Sequence, residues 1–423
     1  MFLFDYLVEH NRYANIIGIL CIFTLLWLCS RNRSQINYRL IINGLGLQFL
    51  IGFCVLKTNI GQYILGKIAA AISALYLCAG EGSQFVFGNL TNTNSSWGFI
   101  FAVKVLPIII FFGAFMELLF YCGIVQKVIG FVSIFIRPLL GTSGAETLCA
   151  IANSFLGQTE APLLIRNYLK DMTKSETLVV MISGMATISG AILVVFAAMG
   201  VPTMHLLSAS VMAIPASIIV AKILYPETEK PKTSAGAHIT FERKPQNMLD
   251  AIATGTIDGL QLALNVGAML ISFLALIALL NYGLGYMSTL VNMTLTFFAS
   301  AWQVPTISVQ LIFSYVFAPF GYLLGFTGQE ALAAGQLIGT KVAINELVAY
   351  DAMIHMHLSE RAVNILTYAL CGFSNFSCIG IQIGGIGALM PEKRAWLTEF
   401  GLLAVFGGTL ANILSAMVAG LLL

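Results

Sequence analysis

Two glutamates stand in hydrophobic sequence with polar neighbours beside them. Glu160 follows Gln158 and Thr159, and Glu346 follows Asn345. A charged side chain at the centre of a membrane helix costs roughly 2.5–3.5 kcal/mol on insertion scales, so such residues face a wet cavity or a partner. Amide, hydroxyl and carboxylate groups together offer mixed donors and acceptors. That set suits a neutral, polyhydroxylated or heterocyclic solute. It suits an anion poorly, because no arginine accompanies it. The competing reading is a buried glutamate capping a neighbouring helix end. A second set consists of neutral oxygens: Asn153, the carbonyl of Leu156, Thr187 and the carbonyl of Ile188. Sodium takes such ligands where a helix unwinds and frees its carbonyls. The competing reading for Thr187 is a hydroxyl bonded back to its own helix.

Other polar residues in apolar surroundings carry less. Lys104, Glu117, Asp250, Asp258 and Lys341 read as structural, with Lys341 placed to pair with an acidic neighbour. His355 and His357 are too few ligands for a metal. Asn89 and Asn94 begin glycosylation triplets by pattern only.

The elements that must position these groups are membrane helices. The chain has 423 residues, 58% of them hydrophobic and only 9% charged. An ordinary soluble domain carries about 25% charge. The composition excludes a soluble enzyme, a disordered chain and a secreted disulfide scaffold. A net charge of +2 excludes a basic field for nucleic acid. The eight cysteines form no Cys-x-x-Cys pair and read as buried thiols. Eight stretches are long enough to span, near 14–30, 39–56, 98–122, 177–200, 205–224, 264–286, 362–390 and 396–423. Segments 58–78 and 124–140 are interrupted by Gln62 and Lys67, and by Gln126, Lys127 and Arg137, and read as interfacial helices. The polar stretch 226–247 reads as a cytoplasmic linker.

Lysines and arginines between spans set the orientation. Fifteen of the 21 fall in segments 31–39, 123–138, 166–176, 222–247 and 391–394. Eight alternating crossings put all five segments on one face, taken as cytoplasmic, with both termini on the other.

Two hydrophobic segments do not fit as spans: 138–165 and 319–350. Counting either as a crossing breaks the charge asymmetry, so each reads as a re-entrant helical hairpin. The two match. Pro138 precedes Glu146, with Glu160 14 residues later; Pro319 precedes Glu330, with Glu346 16 residues later. Ser175-Glu176 and Ser359-Glu360 then suit helix starts, with Ser as cap. A helix with a small, polar interruption follows each, at 184–190 and 372–378. Opposed hairpins of this kind make an inverted repeat, the signature of a secondary transporter with its site at the midplane.

The segments GQTEAPLLI (157–165), NELVAY (345–350) and CGFSNFSCIGI (371–381) closely resemble the signatures of concentrative nucleoside transporters. FVFG (85–88), 101–123, 265–277 and 408–420 support the likeness, in the family's order from about residue 80 to the C-terminus. The resemblance implies an all-α polytopic membrane protein of eight transmembrane helices and two opposed hairpins. It implies a bacterial inner-membrane symporter importing uridine-like nucleosides with sodium, by elevator-type alternating access, as a homotrimer. It divides the chain into a mainly scaffold part (1–137), a first transport unit (138–224), a loop and scaffold span (225–318) and a second transport unit (319–423). The nucleobase falls to Gln158, Thr159 and Glu160, with Ile192 on the first broken helix. The ribose falls to Glu346 and Asn375, with Phe373 beside it. Cys378 stands where the family has a ribose-contacting Ser, and a thiol is the weaker donor. Sodium falls to Asn153, Leu156, Thr187 and Ile188. A proton-coupled transporter of the same fold is the alternative. A passive channel and an intramembrane enzyme compete less well, the first against the paired hairpins and the second for want of a nucleophile, metal set or cofactor motif.

Overall fold

The computed structural model describes residues 2–92, 95–98, 100–233, 245–297 and 305–423. Asn94, Arg243, Lys244 and half of the 226–247 linker lie outside the described residues. Among the described residues the fold is helical, with no strand.

The N-terminal part holds α1 (Arg12–Cys29), α2 (Tyr38–Lys57), α3 (Asn59–Phe87), α4 (Leu106–Tyr121) and α5 (Ile124–Leu140). The first inner unit holds α6 (Gly144–Asn153), α7 (Lys174–Ala186), α8 (Gly190–Met199) and α9 (Thr203–Leu224). The 50-residue α10 (Met248–Phe297) follows. The second inner unit holds α11 (Val309–Leu323), α12 (Gly328–Ala343), α13 (Glu346–His355), α14 (Glu360–Leu370), α15 (Phe376–Leu389) and α16 (Arg394–Leu422). Short helical turns lie at Phe2–Val8, Phe101–Lys104 and Arg166–Leu169.

Among the described residues, eight helical stretches are long and apolar enough to cross a membrane, and seven of them coincide with expected spans. The segment read as interfacial at 58–78 is part of a continuous stretch, Asn59–Thr91, which meets that test. Its polar interruptions are accommodated locally: Gln62 donates to the Leu56 carbonyl at 2.7 Å, and Lys67 lies over the Tyr63 ring. The expected span 362–390 is broken where its polar interruption was expected: α14 and α15 are separated by non-helical residues 371–375, and neither half is long enough to cross alone. The span expected at 264–286 is the middle of α10.

The core lies in the second half of each inner unit. The apolar windows of Lys174–Met199, Thr203–Leu224 and Pro391–Leu422 are 83%, 89% and 83% buried, against 12% for Met248–Thr294. Only Cys149, Cys371 and Cys378 are the buried thiols expected. Cys21, Cys29, Cys54, Cys78 and Cys122 are exposed, because they sit on the outward faces of helices whose surroundings are apolar rather than aqueous.

The hairpins begin with deliberate caps. Ser143 accepts from Glu146 N while Glu146 accepts from Ser143 N, a reciprocal box that opens α6. Thr173 and Glu176 form the same box at α7, so Thr173 is the cap and not Ser175. Ser359 does cap α14. The repeat survives at the level of elements. Pro138 lies within α5 and Pro319 within α11, while Glu146 and Glu330 occupy the first turns of α6 and α12. The second hairpin is displaced from 319–350: a 114° bend separates α11 from α12, and the returning arm α13 continues to His355. Glycine permits the close packing at this bend, since a Cβ at Gly321 would lie 2.3 Å from the Ala331 carbonyl oxygen.

Candidate functional site

The two helix breaks meet at the centre of the core. α7 stops at Ala186, and Thr187 is extended (φ −120°, ψ 166°). The β-branched pair Thr187–Ile188 suits this conformation, and the Ser189 side chain restarts the helix by accepting from Ile192 N. Freed backbone groups find partners across the structure, as buried polar groups must. Gly190 N donates to the Phe155 carbonyl at 3.0 Å, and Phe373 N to the Thr187 carbonyl at 3.3 Å. Asn412 of α16 donates to the carbonyls of Ala186 and Cys371, both at 2.7 Å. One amide therefore ties the first break to the second.

At the second break Asn375 caps α15, its Oδ1 accepting from Cys378 N at 3.0 Å and from Ser377 Oγ at 2.6 Å. An N–H can only donate, so Oδ1 must face α15 and Nδ2 must face away. Nδ2 donates to the Glu346 carboxylate at 3.1 Å. Glu346 opens α13, where the positive helix end favours a carboxylate. Asn345, its neighbour, caps the same helix by accepting from Val348 N at 2.9 Å.

At the first hairpin tip Glu160 accepts from Gly157 N at 3.2 Å. This is a local loop bond, and the carboxyl stays exposed to the adjoining cavity. Gln158 accepts from Gln382 of α15 at 3.1 Å.

Between the two tips lies a cavity of about 540 Å³. Gln158, Thr159, Glu160 and Ile192 line it from the first unit. Glu346, Phe373, Asn375 and Cys378 line it from the second. All eight residues assigned to the solute by sequence thus share one space. Polar groups enter from two repeats, and Phe155, Phe112 and Phe373 supply aromatic walls. Such a mixed cavity can hold a flat, apolar-faced ring and a polar, hydroxylated end.

Of the four residues expected to hold a cation, Asn153 and Thr187 both reach Ser183, and Gly190 N holds the first break to the Phe155 carbonyl beside Leu156. Asn153 donates from Nδ2 to Ser183 Oγ at 2.9 Å, while its Oδ1 is buried with no hydrogen-bond partner. Thr187 Oγ1 donates to the Ser183 carbonyl at 2.8 Å, which is the helix back-bond. Its lone pairs remain on the oxygen, so the two readings of Thr187 are compatible. Leu156 and Ile188 lie in non-helical backbone. A buried, unpaired amide oxygen beside an oxygen-bearing break fits sodium, which takes neutral oxygens. Among the described residues no His, Cys, Asp and Glu cluster suited to a harder-held metal occurs.

Some expectations are corrected. Lys341 touches no acid directly among the described residues: its Nζ donates to Asn412 Oδ1 at 2.6 Å and to the Ala369 carbonyl at 3.0 Å, and Glu346 attracts it only from farther off. Glu117 and Asp258, read as structural, line the cavity. Gln261 and Asn265 of α10 do so as well. Positions 258, 261, 262 and 265 recur at helical spacing, a signal present in the sequence. Gln382 carries no such signal in the sequence: it is one amide in the apolar run Phe376–Leu389, with no counterpart in the other repeat.

Helix breaks, opposed tips and a polar central cavity in an apolar helical body define a membrane transporter of the broken-helix class. Models described as the N-terminus and C-terminus of Na+ dependent nucleoside transporters match residues 17–90 and 205–420, and one for nucleoside recognition matches 102–203. The chain belongs to the sodium-dependent nucleoside transporter family. It is 38% identical to the nucleoside permease NupC of Helicobacter pylori, over 96% of this chain and 97% of that protein. It is 42% identical to an uncharacterized transporter of Haemophilus influenzae, covering 96% and 97%. It is 37% identical to the mouse sodium/nucleoside cotransporter 2, covering 96% of this chain and 62% of that protein. The fold is similar to CNTnw in an inward-facing substrate-bound state, with a TM-score of 0.89 and 36% identity over 98% of this chain and 99% of that one. These relatives are transporters, not enzymes.

Proposed function

We propose that this protein imports uridine-like nucleosides together with sodium. The single observation that carries this reading is the shared cavity, into which both hairpin tips and both broken helices deliver their polar groups. In this reading Gln158, Thr159 and Glu160 meet the nucleobase, with Ile192 against its face. Glu346 and Asn375 bind ribose hydroxyls, the carboxylate accepting and the amide donating, beside Phe373. Cys378 is a weak partner where a hydroxyl would bond more strongly. Asn153 Oδ1, Thr187 Oγ1 and the carbonyls of Leu156 and Ile188 take the sodium ion. Sodium there neutralises the carbonyl-rich break and rigidifies the wall that carries Gln158. That links ion binding to solute binding.

The driving force suffices. One charge moving through about 100 mV releases about 2.3 kcal/mol. A tenfold sodium gradient adds about 1.4 kcal/mol, and together they sustain roughly a 500-fold nucleoside gradient.

The heavily buried units behind the two hairpins serve as the moving part. The sparsely buried α10 and its partner α4 belong to the scaffold. Exposed apolar faces on α3 and α10 are covered by lipid and by neighbouring subunits of a homotrimer. The basic segments face the cytoplasm across a bacterial inner membrane, and both termini lie outside.

The test is radiolabelled uridine uptake into proteoliposomes under an inward sodium gradient, repeated with choline and with Glu346→Gln. Sodium-driven accumulation that disappears in the variant is expected. Uptake that ignores sodium and follows a proton gradient would overturn the cation assignment. Folded protein taking up no nucleoside under either gradient would overturn the substrate.

A further inference from the structure

We infer that Gln382 is a positioning residue that fixes which way the Gln158 amide faces, and so selects nucleobases carrying a carbonyl over those carrying an exocyclic amine. The inference rests on the reading of Gln158 as a nucleobase contact. Gln382 is fully buried on α15. One end of its amide lies 3.0 Å from the Met181 carbonyl oxygen and 3.1 Å from the Gln158 amide. A carbonyl oxygen only accepts, so that end of Gln382 must be its NH2 group. The same NH2 then requires an acceptor on Gln158, so the atom of Gln158 facing it is Oε1. Backbone chemistry at Met181 thereby decides an amide orientation that neither side chain fixes alone.

What remains of Gln158 for the cavity is its own NH2, a pure donor with two hydrogens, one toward the Cys378 thiol and one left for the solute. A base with a carbonyl at that edge, such as the 4-keto pyrimidine of uridine or the 6-keto purine of inosine, completes the bond. A base with an amine there, as in cytidine or adenosine, sets donor against donor. Discrimination by an unmet buried hydrogen bond is larger than discrimination by size.

Two packing facts indicate that the arrangement serves specificity rather than stability. A Cβ at Gly184 would lie 2.8 Å from Gln382 Nε2 and 3.0 Å from Gln158 Cβ, so glycine there admits the pair. Gln382 Oε1 is buried without a partner. An unpaired buried acceptor is destabilising, and methionine of similar length would avoid it.

The experiment measures kcat/KM for uridine, cytidine, inosine and adenosine in proteoliposomes under a sodium gradient. The proteins are wild type, Gln382→Met, Gln158→Leu and the double variant. Wild type is expected to favour each keto base over its amino counterpart by roughly tenfold or more. Gln382→Met is expected to bring both ratios toward one, with no further effect on them in the Gln158→Leu background. If Gln382→Met does not fold, Gln382→Asn withdraws the amide by one methylene and carries the same expectation. No keto preference in wild type, or equal losses for all four substrates with the ratios unchanged, would overturn the inference while leaving nucleoside transport standing. No uptake of any nucleoside by folded wild type would remove the reading beneath it.

Discussion

The Lys341 amine lies 2.6 Å from Asn412 Oδ1, and the other end of that amide holds the Ala186 and Cys371 carbonyls at 2.7 Å. A hairpin lysine is thus joined through one side chain of α16 to both helix breaks. Asn412→Leu removes an acceptor from a fully buried lysine and a donor from two carbonyls. A loss of about 3–5 kcal/mol is expected, as when one partner of a buried polar pair is deleted. Lys341→Met removes the amine itself and is expected to cost less. Thermal unfolding of the two purified variants checks the order; an equal or reversed order would contradict it.

A second buried pair sits where α6 meets α9. Lys222 Nζ is 2.8 Å from Glu146 and 3.1 Å from Glu227. Glu146→Leu is expected to destabilise by about 3–5 kcal/mol, because a buried ammonium loses its closest anion. Glu146→Leu with Lys222→Met is expected to recover most of that loss. A double-variant stability less than or equal to that of Glu146→Leu alone would argue against the pair.

The seam between α4 and α10 depends on backbone approach. A Cβ at Gly255 would lie 2.5 Å from the Gly113 carbonyl oxygen and 2.7 Å from Glu117 Cβ. Backbone cannot give way as a flexible side-chain tip can. Gly255→Val is expected to cost about 1–3 kcal/mol or more by overpacking. It should also weaken uptake, since both helices wall the cavity; unchanged melting and uptake would show that the helices can part freely.

Sodium dependence should report on Asn153. Asn153→Leu removes the unpaired Oδ1. The sodium concentration for half-maximal uptake is expected to rise by roughly tenfold or more, about the worth of one ligand. Uridine KM at saturating sodium should change much less. An unaltered sodium curve in active protein would exclude this oxygen from the ion's shell.

At the surface, Asp171 sits 2.5 Å from Lys232, and that hydrogen bond holds its carboxyl below the ordinary range. A depressed carboxyl contributes stability that is present above its unfolded pKa and lost as pH falls through the folded one. Both groups are solvated, so the contribution is small. Asp171→Asn is expected to lower the melting temperature slightly and evenly between about pH 5 and pH 8, with the difference from wild type vanishing as pH falls through the folded pKa. A difference that is absent at neutral pH and appears only in acid would contradict the pairing.

The broken helix at 187–189 was legible in sequence because Thr, Ile, Ser and Gly follow one another there, residues that leave and restart helices. The second break was legible in its Ser-Asn pair, yet the segment around it still read as one span. Apolar composition alone does not distinguish one helix from two halves. Thr173 rather than Ser175 caps α7 because the reciprocal bond needs Glu176 three residues on, a spacing that only Thr173 has. The chain by itself determined membrane residence, the paired hairpins and the polar groups around Glu160 and Glu346, since hydrophobic length, polar interruption and local caps are encoded in neighbouring residues; Ile192, Phe373, Asn375 and Cys378 were legible only through the family resemblance. Tertiary structure alone decided the partners of Lys341, the contribution of α10 to the cavity and the Gln382–Gln158 contact. These joins link residues far apart in sequence, and a buried polar group takes whichever partner folding brings to it.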